Sequence, residues 1–204
     1  MISVVGAVFV AATLFVQAVS TGLQAAELKT SIHHAADVRV DPGSRRLTVF
    51  DVITVSDRTE IHFRLASWLS VKSLLLDRRP IPISATAGAW RTKLPDLGRH
   101  QVELKLQGTV PAQRGRGMDQ SAALGPDGGY LFEGAGWIPD TGDDWVSYRL
   151  RVKVPVPYRA VATGRLGDEE VGGTTYSATF AADYPAACRL CSSDPTWCVN
   201  GNTT

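Results

Sequence analysis

Beyond Leu28, apolar side chains recur at every second position. Val38 and Val40 alternate with Asp37, Arg39 and Asp41, and Asp41-Pro42-Gly43 then marks a turn. Leu47, Val49, Ile53 and Val55 share one face of the next run, while Phe50 and Val52 lie on the other, the pattern of a strand covered on both sides. Ile61-Phe63-Leu65, Val102-Leu104-Leu106, Tyr148-Leu150-Val152-Val154 and Tyr176-Ala178-Phe180 repeat the alternation. A period of two places one row of side chains on each face of a strand, whereas a helix needs 3.6. Gly, Pro, Asp or Ser bounds each run. The spacing therefore predicts an all-β fold, an antiparallel two-sheet sandwich or saddle. Two stretches lie outside the pattern. Leu65 to Leu76 fits neither period, and Gly108 to Gly129 reads as a long polar loop.

The amino terminus is of another kind. Met1 to Ala26 holds no charged residue, and Val4 to Val16 is apolar apart from Gly6 and Thr13. That run is short for a membrane span of ~20 residues and suits the hydrophobic helix of a secretory signal. Ala18-Val19-Ser20 and Leu23-Gln24-Ala25 resemble cleavage sites. Residues 1–26 are read as a signal peptide, or as an uncleaved anchor in which residues 4–24 stay in the membrane. Either reading exports the domain, to a periplasm or to the extracellular space.

Charge and motifs exclude several functions. With 21 Lys+Arg against 20 Asp+Glu, the formal net charge is +1, and no strong field draws the chain to nucleic acid. A zinc-hydrolase helix needs two histidines at i and i+4, with a glutamate beside the first. His33, His34, His62 and His100 contain no such pair. Neither a Gly-x-Ser-x-Gly elbow nor a phosphate-binding glycine loop is present. His62, between Ile61 and Phe63, reads as an outward surface residue. Asp143-Asp144 and Asp168-Glu169-Glu170 lack the spaced oxygen ligands of a calcium loop and read as solvated turns. Cys188-x-x-Cys191 is half of a zinc knuckle whose second half is one cysteine short. A disulfide from Cys198 to Cys191 or to Cys188 is open in an oxidising compartment. No catalytic residue, metal site or cofactor is expected within this chain.

Four stretches, in order, carry a resemblance. They are His34-Ala35-Ala36-Asp37-Val38-Arg39-Val40-Asp41-Pro42 leading into Arg46-Leu47-Thr48-Val49; Ile61-His62-Phe63-Arg64-Leu65-Ala66; Gly136-Trp137-Ile138-Pro139; and Tyr148 to Pro155 followed by Ala160 to Arg165. Together they resemble the amino-terminal β-domain of the aminopeptidase N family of zinc metallopeptidases, in particular its exported bacterial members. The resemblance assigns residues 27–186 to that domain. It implies a catalytic partner domain holding zinc and a His-Glu-x-x-His helix, neither of which occurs in these 204 residues. The implied role is non-catalytic, within an enzyme that removes amino-terminal residues from peptides. In the family this domain lends a Gln or Glu that grips the substrate's free amine. Glu133 is the acidic residue nearest that place, and it reads equally as a solvated loop carboxylate. The other reading of the chain is an independent secreted β-sandwich that binds a protein or a glycan.

Residues 187–204 differ in character from the rest, since all three cysteines fall there and alternation stops. This tail is expected to be unstructured. The codons for Ser193 to Asn200 permit Gly-Pro-Tyr-Val-Val-Arg-Glu one base earlier, a string typical of the family's next strand. A frameshift near Ala186 or Ala187, ending the chain before the catalytic domain, is the corresponding expectation.

Overall fold

The computed structural model of the chain describes residues 31–83, 88–112, 121–132, 134–142, 146–183 and, for backbone only, 190–193. All described secondary structure is β. In chain order the strands are β1 (Ile32–Asp41), β2 (Arg46–Val55), β3 (Glu60–Arg64), β4 (Leu69–Leu76), β5 (Arg79–Pro80), β6 (Ala89–Lys93) and β7 (His100–Thr109). They continue as β8 (Ala122–Gly125), β9 (Gly128–Leu131), β10 (Val146–Pro155), β11 (Arg159–Ala162), β12 (Arg165–Gly172), β13 (Thr175–Ala182) and β14 (Leu190–Ser193).

An eight-stranded sheet runs β12-β13-β10-β1-β2-β7-β4-β5. A four-stranded sheet runs β11-β14-β9-β8, and β3 pairs with β6. The alternation seen in the sequence builds the large sheet's inner face. Ile32, Ala36, Val38 and Val40 of β1 are buried there, with Leu47, Val49, Ile53 and Val55 of β2. Val102, Leu104 and Leu106 of β7, Leu150, Val152 and Val154 of β10, and Tyr176, Ala178 and Phe180 of β13 extend the same layer. Burial of each Val, Leu, Ile or Phe among them contributes roughly 1.5–3 kcal/mol relative to exposure. The opposite face carries Asp37, Arg39, Thr48, Arg149, Arg151 and Lys105 and is largely exposed. Phe50 on that face is half-buried beneath Lys105, whose Nζ lies 5.9 Å from the ring centroid. Its partner is thus a side chain of the same sheet, where the sequence suggests a second covering layer.

Several expectations need correction. The large sheet is mixed: β1 runs parallel to β10, from Ile32 opposite Val146 to Arg39 opposite Lys153. Period-two alternation is the same for both strand directions, so it carries no information on which neighbour is parallel. Strands fall into three sheets, not two. The expected loop Gly108–Gly129 contains β8 and the start of β9, a hairpin of strands too short to show a period. Leu65–Leu76 contains β4, whose alternation is broken by a register shift between Val71 and Ser73. Asp168-Glu169-Glu170 lies on β12, not in a turn. The tail expected to be unstructured holds β14, paired with β9 on one side and β11 on the other. There the pairing is through backbone groups, which a side-chain pattern does not reveal. The signal helix falls outside the described residues. Among the described residues, no helix is long and apolar enough to cross a membrane.

β12 is the edge of the large sheet and is exposed along its whole length. An open edge of eight residues invites pairing with another copy. Asp168 and Glu170, with the register shift between Leu166 and Glu169, oppose that. Carboxylates would meet carboxylates in an antiparallel self-pair. The double variant Asp168→Ser, Glu170→Ser is expected to self-associate with rising concentration in sedimentation velocity. An unchanged monomer over the same range would contradict this role.

Candidate functional site

A cleft lies beside the β3–β6 pair, and local sequence places its walls. Ile61 and Phe63 point into the core, so His62 and Arg64 point out. Register sets Arg91 opposite His62 and Trp90 opposite Phe63. The Phe63 and Trp90 rings stack with centroids 6.0 Å apart and planes 9° from parallel. That contact fixes the floor.

The segment after β9 forms the other wall. Arg64 N donates to Asp140 O at 2.8 Å, and Asp140 N donates back to Arg64 O at 3.0 Å. Arg64 Nη2 reaches Asp140 Oδ2 at 2.9 Å, while Gly142 N donates to Asp140 Oδ1, also at 2.9 Å. Further along, Ala66 N donates to Gly136 O at 2.8 Å. Glycine is required at 136 by φ +66° and because a Cβ would sit 2.6 Å from Ala66 N. The tight approach turns Trp137 inward, where it is 1% exposed. The resulting cleft has a volume of about 590 Å³, lined by His62, Arg64, Trp90, Arg91, Asp140 and Thr141 among others.

Two guanidiniums and an imidazole around one carboxylate suit the holding of an anionic or polar group. Among the described residues, no serine or cysteine lines this cleft. Elsewhere, histidines do meet partners. His34 Nδ1 lies 2.7 Å from Asp51 Oδ2 in the core, and His33 Nδ1 lies 2.8 Å from Ser147 Oγ. Asp51 thus pairs with His34, and Ser147 with His33. Burial, then the neighbouring His34, lowers the pKa of His33 despite Asp51 and Asp183 nearby.

Zinc does not fit these residues. Among the described residues, no group of three His, Cys, Asp or Glu is arranged to hold a metal. Glu133, Asp143, Asp144, Cys188 and Cys198 lie outside the described residues. Of Cys191 the backbone is described: it sits in β14, opposite Tyr130 and Val161. His62 is exposed, in agreement with its reading as an outward residue. Arg64, Arg91 and Asp140 carry no signal in the sequence that marks them as site residues. Alternation puts His62 and Arg64 on one face, but Asp140 is 76 positions from Arg64 and no local pattern links them.

At the far end of the large sheet, His100 Nδ1 lies 2.8 Å from Asp77 Oδ2. Asp77 raises the His100 pKa above 6.5, with Asp96 adding to it, while the Gln101 amide and His100 lower that of Asp77 below 3.8. A raised histidine stabilises the fold fully below about pH 6.5 and loses that contribution as pH rises through its folded pKa. A depressed aspartate loses its contribution as pH falls through its own. Wild type minus His100→Gln, in melting temperature, is therefore expected to be larger at pH 5.5 than at pH 8. Taking the difference removes His33, which works in the opposite sense. A pH-independent difference would contradict the pairing.

No family model matches the chain, and no curated protein matches it. Solved structures do. An M1 zinc metallopeptidase from Deinococcus radiodurans matches with TM-score 0.66 and 19% identity, covering 81% of this chain and 43% of its own. A form of that enzyme bound to a Tyr-Ser-Ala substrate matches with TM-score 0.66 and 19% identity, covering 80% of this chain and 42% of its own. Legionella pneumophila aminopeptidase A, in complex with aspartic acid, matches with TM-score 0.62 and 12% identity, covering 81% of this chain and 22% of its own. The chain thus spans about two-fifths of the Deinococcus enzyme and about a fifth of the Legionella one. At these identities the likeness is one of fold: over four-fifths of its length, the chain has the β-architecture found in M1 zinc metallopeptidases.

Proposed function

We propose that the chain serves as the amino-terminal β-domain of an exported zinc aminopeptidase of the M1 type, supporting peptide hydrolysis without performing it. The observation that carries this reading is the asymmetric match, which takes in 80% of this chain and 42% of a two-fold longer enzyme. Two sequence facts agree with it: His-Glu-x-x-His is absent, and the four family-like stretches occur in order. In this reading zinc belongs to a partner catalytic domain. Glu133 grips the free amine of a peptide, and the β3–β6 cleft faces the substrate side. Residues 1–26 direct export to the periplasm or the extracellular space. Fold alone does not assign activity, so the test is chemical. The purified chain, dialysed against zinc and then buffer, is expected to hold far less than one zinc per chain. It is expected to release no tyrosine from Tyr-Ser-Ala. Stoichiometric zinc together with amino-acid release would overturn the proposal.

A further inference from the structure

The open face of the eight-stranded sheet carries its charges unevenly. Along β10, Arg149, Arg151 and Lys153 point outward at alternate positions. On β1, Arg39 joins them directly opposite Lys153, and Asp37 lies opposite Arg151. Four cations thus share the β1–β10 seam with Asp37 and, at the end of β1, Asp41. Among the described residues none of the four has an ion-pair partner. Like charges placed directly opposite each other on a sheet are destabilising, and a solvated face has no structural need of them.

We propose that this seam docks an acidic, extended segment of a partner protein, laid along β10. Three features choose that occupant. First, alternate residues of a strand are ~6.6 Å apart, and so are alternate side chains of an extended peptide, so each carboxylate meets one cation. Second, the seam is narrow. Glu103 on β7 and Glu170 on β12 each stand two strands away, ~10 Å, with Lys105 beside Glu103, so a broad anionic surface such as a membrane meets mixed charge there and cation excess only at the seam. Third, the residues flanking the cations are small: Ala35 and Ala181 beside Arg149, Thr179 beside Arg151, Ser177 beside Lys153. They leave room for a chain but offer no aromatic platform. Phe50, the aromatic residue next to Asp37, already lies against Lys105. Stacking of nucleic-acid bases therefore lacks support here. This inference is independent of any peptidase role.

The test uses the full chain and a fluorescent peptide in which four Glu alternate with Ser, read by anisotropy at low salt. Binding is expected, weakening as salt rises. The double variant Arg149→Ser, Arg151→Ser is expected to bind at least about fivefold more weakly, from two exposed ion pairs lost. Lys93→Ser, on β6 in another sheet, is expected to leave affinity unchanged. A circular-dichroism melt checks that all three proteins are folded. No binding by the folded wild type, or equal affinity in the double variant, overturns the proposal. So does tighter, Arg149- and Arg151-dependent binding to phosphatidylserine vesicles than to the peptide, which would give the face to a lipid surface.

Discussion

Asp51→Ala is expected to destabilise the fold by about 3–5 kcal/mol, a large share of the stability of a single domain. Asp51 is fully buried on the inner face of β2, and its Oδ2 lies 2.7 Å from Nδ1 of His34, itself 4% exposed. Register explains the meeting: Asp51 faces Ala36 and His34 faces Ile53, so the two are diagonal neighbours on adjacent strands. Alanine would leave an imidazole nitrogen buried without a partner, and a lone buried polar group costs more than the bond it made. Asp51 Oδ1 has no partner in the structure, so the pair is already incompletely satisfied. An apolar replacement of both members is then expected to be far milder. His34→Leu with Asp51→Val should cost less than the sum of the single changes, with a coupling above about 1 kcal/mol in urea unfolding. Additive costs would show that the two side chains do not depend on each other.

Trp137→Ala is expected to cost a similar amount, about 3–5 kcal/mol. Trp137 is 1% exposed and among the largest of the fully buried side chains. Its removal leaves a cavity that flanking backbone cannot close, because Gly136 is already held against Ala66 by a 2.8 Å hydrogen bond. The buried Nε1 has no partner in the structure, so losing it returns part of the cost. The same change should loosen the Arg64–Asp140 bridge three residues on, and with it one wall of the cleft. Urea unfolding gives the stability. A loss below about 1 kcal/mol would mean that Trp137 is not part of the core.

The central strands are legible in the sequence because each buries one face. β1, β2, β7, β10 and β13 have apolar residues at most inward positions, interrupted by His34, Asp51 and His100, and the structure buries those same positions. Where that asymmetry is missing, the pattern is missing too. β12 is exposed on both faces, so Asp168-Glu169-Glu170 resembles a turn. β8, β9 and β14 have four residues each, too few to establish a period. The parallel β1–β10 pairing joins residues more than a hundred positions apart, beyond any local signal. The cleft is half legible. Alternation sends His62 outward correctly, whereas Asp140 reaches Arg64 through backbone bonds between distant segments. The buried His34–Asp51 pair is present in the alternation as well, since both occupy inward positions among valines and isoleucines. A polar residue at such a position signals a buried partner but does not say which residue that partner is.

The central claim, that this chain supplies the β-domain of an M1-type aminopeptidase, is tested most directly in the DNA of its locus. Sequencing of the locus, read in all frames, is predicted to show a His-Glu-x-x-His segment encoded together with this domain, the zinc helix that the parent reaction needs. A locus without such a segment, confirmed on independent template, would contradict the account and leave an independent β-protein in its place.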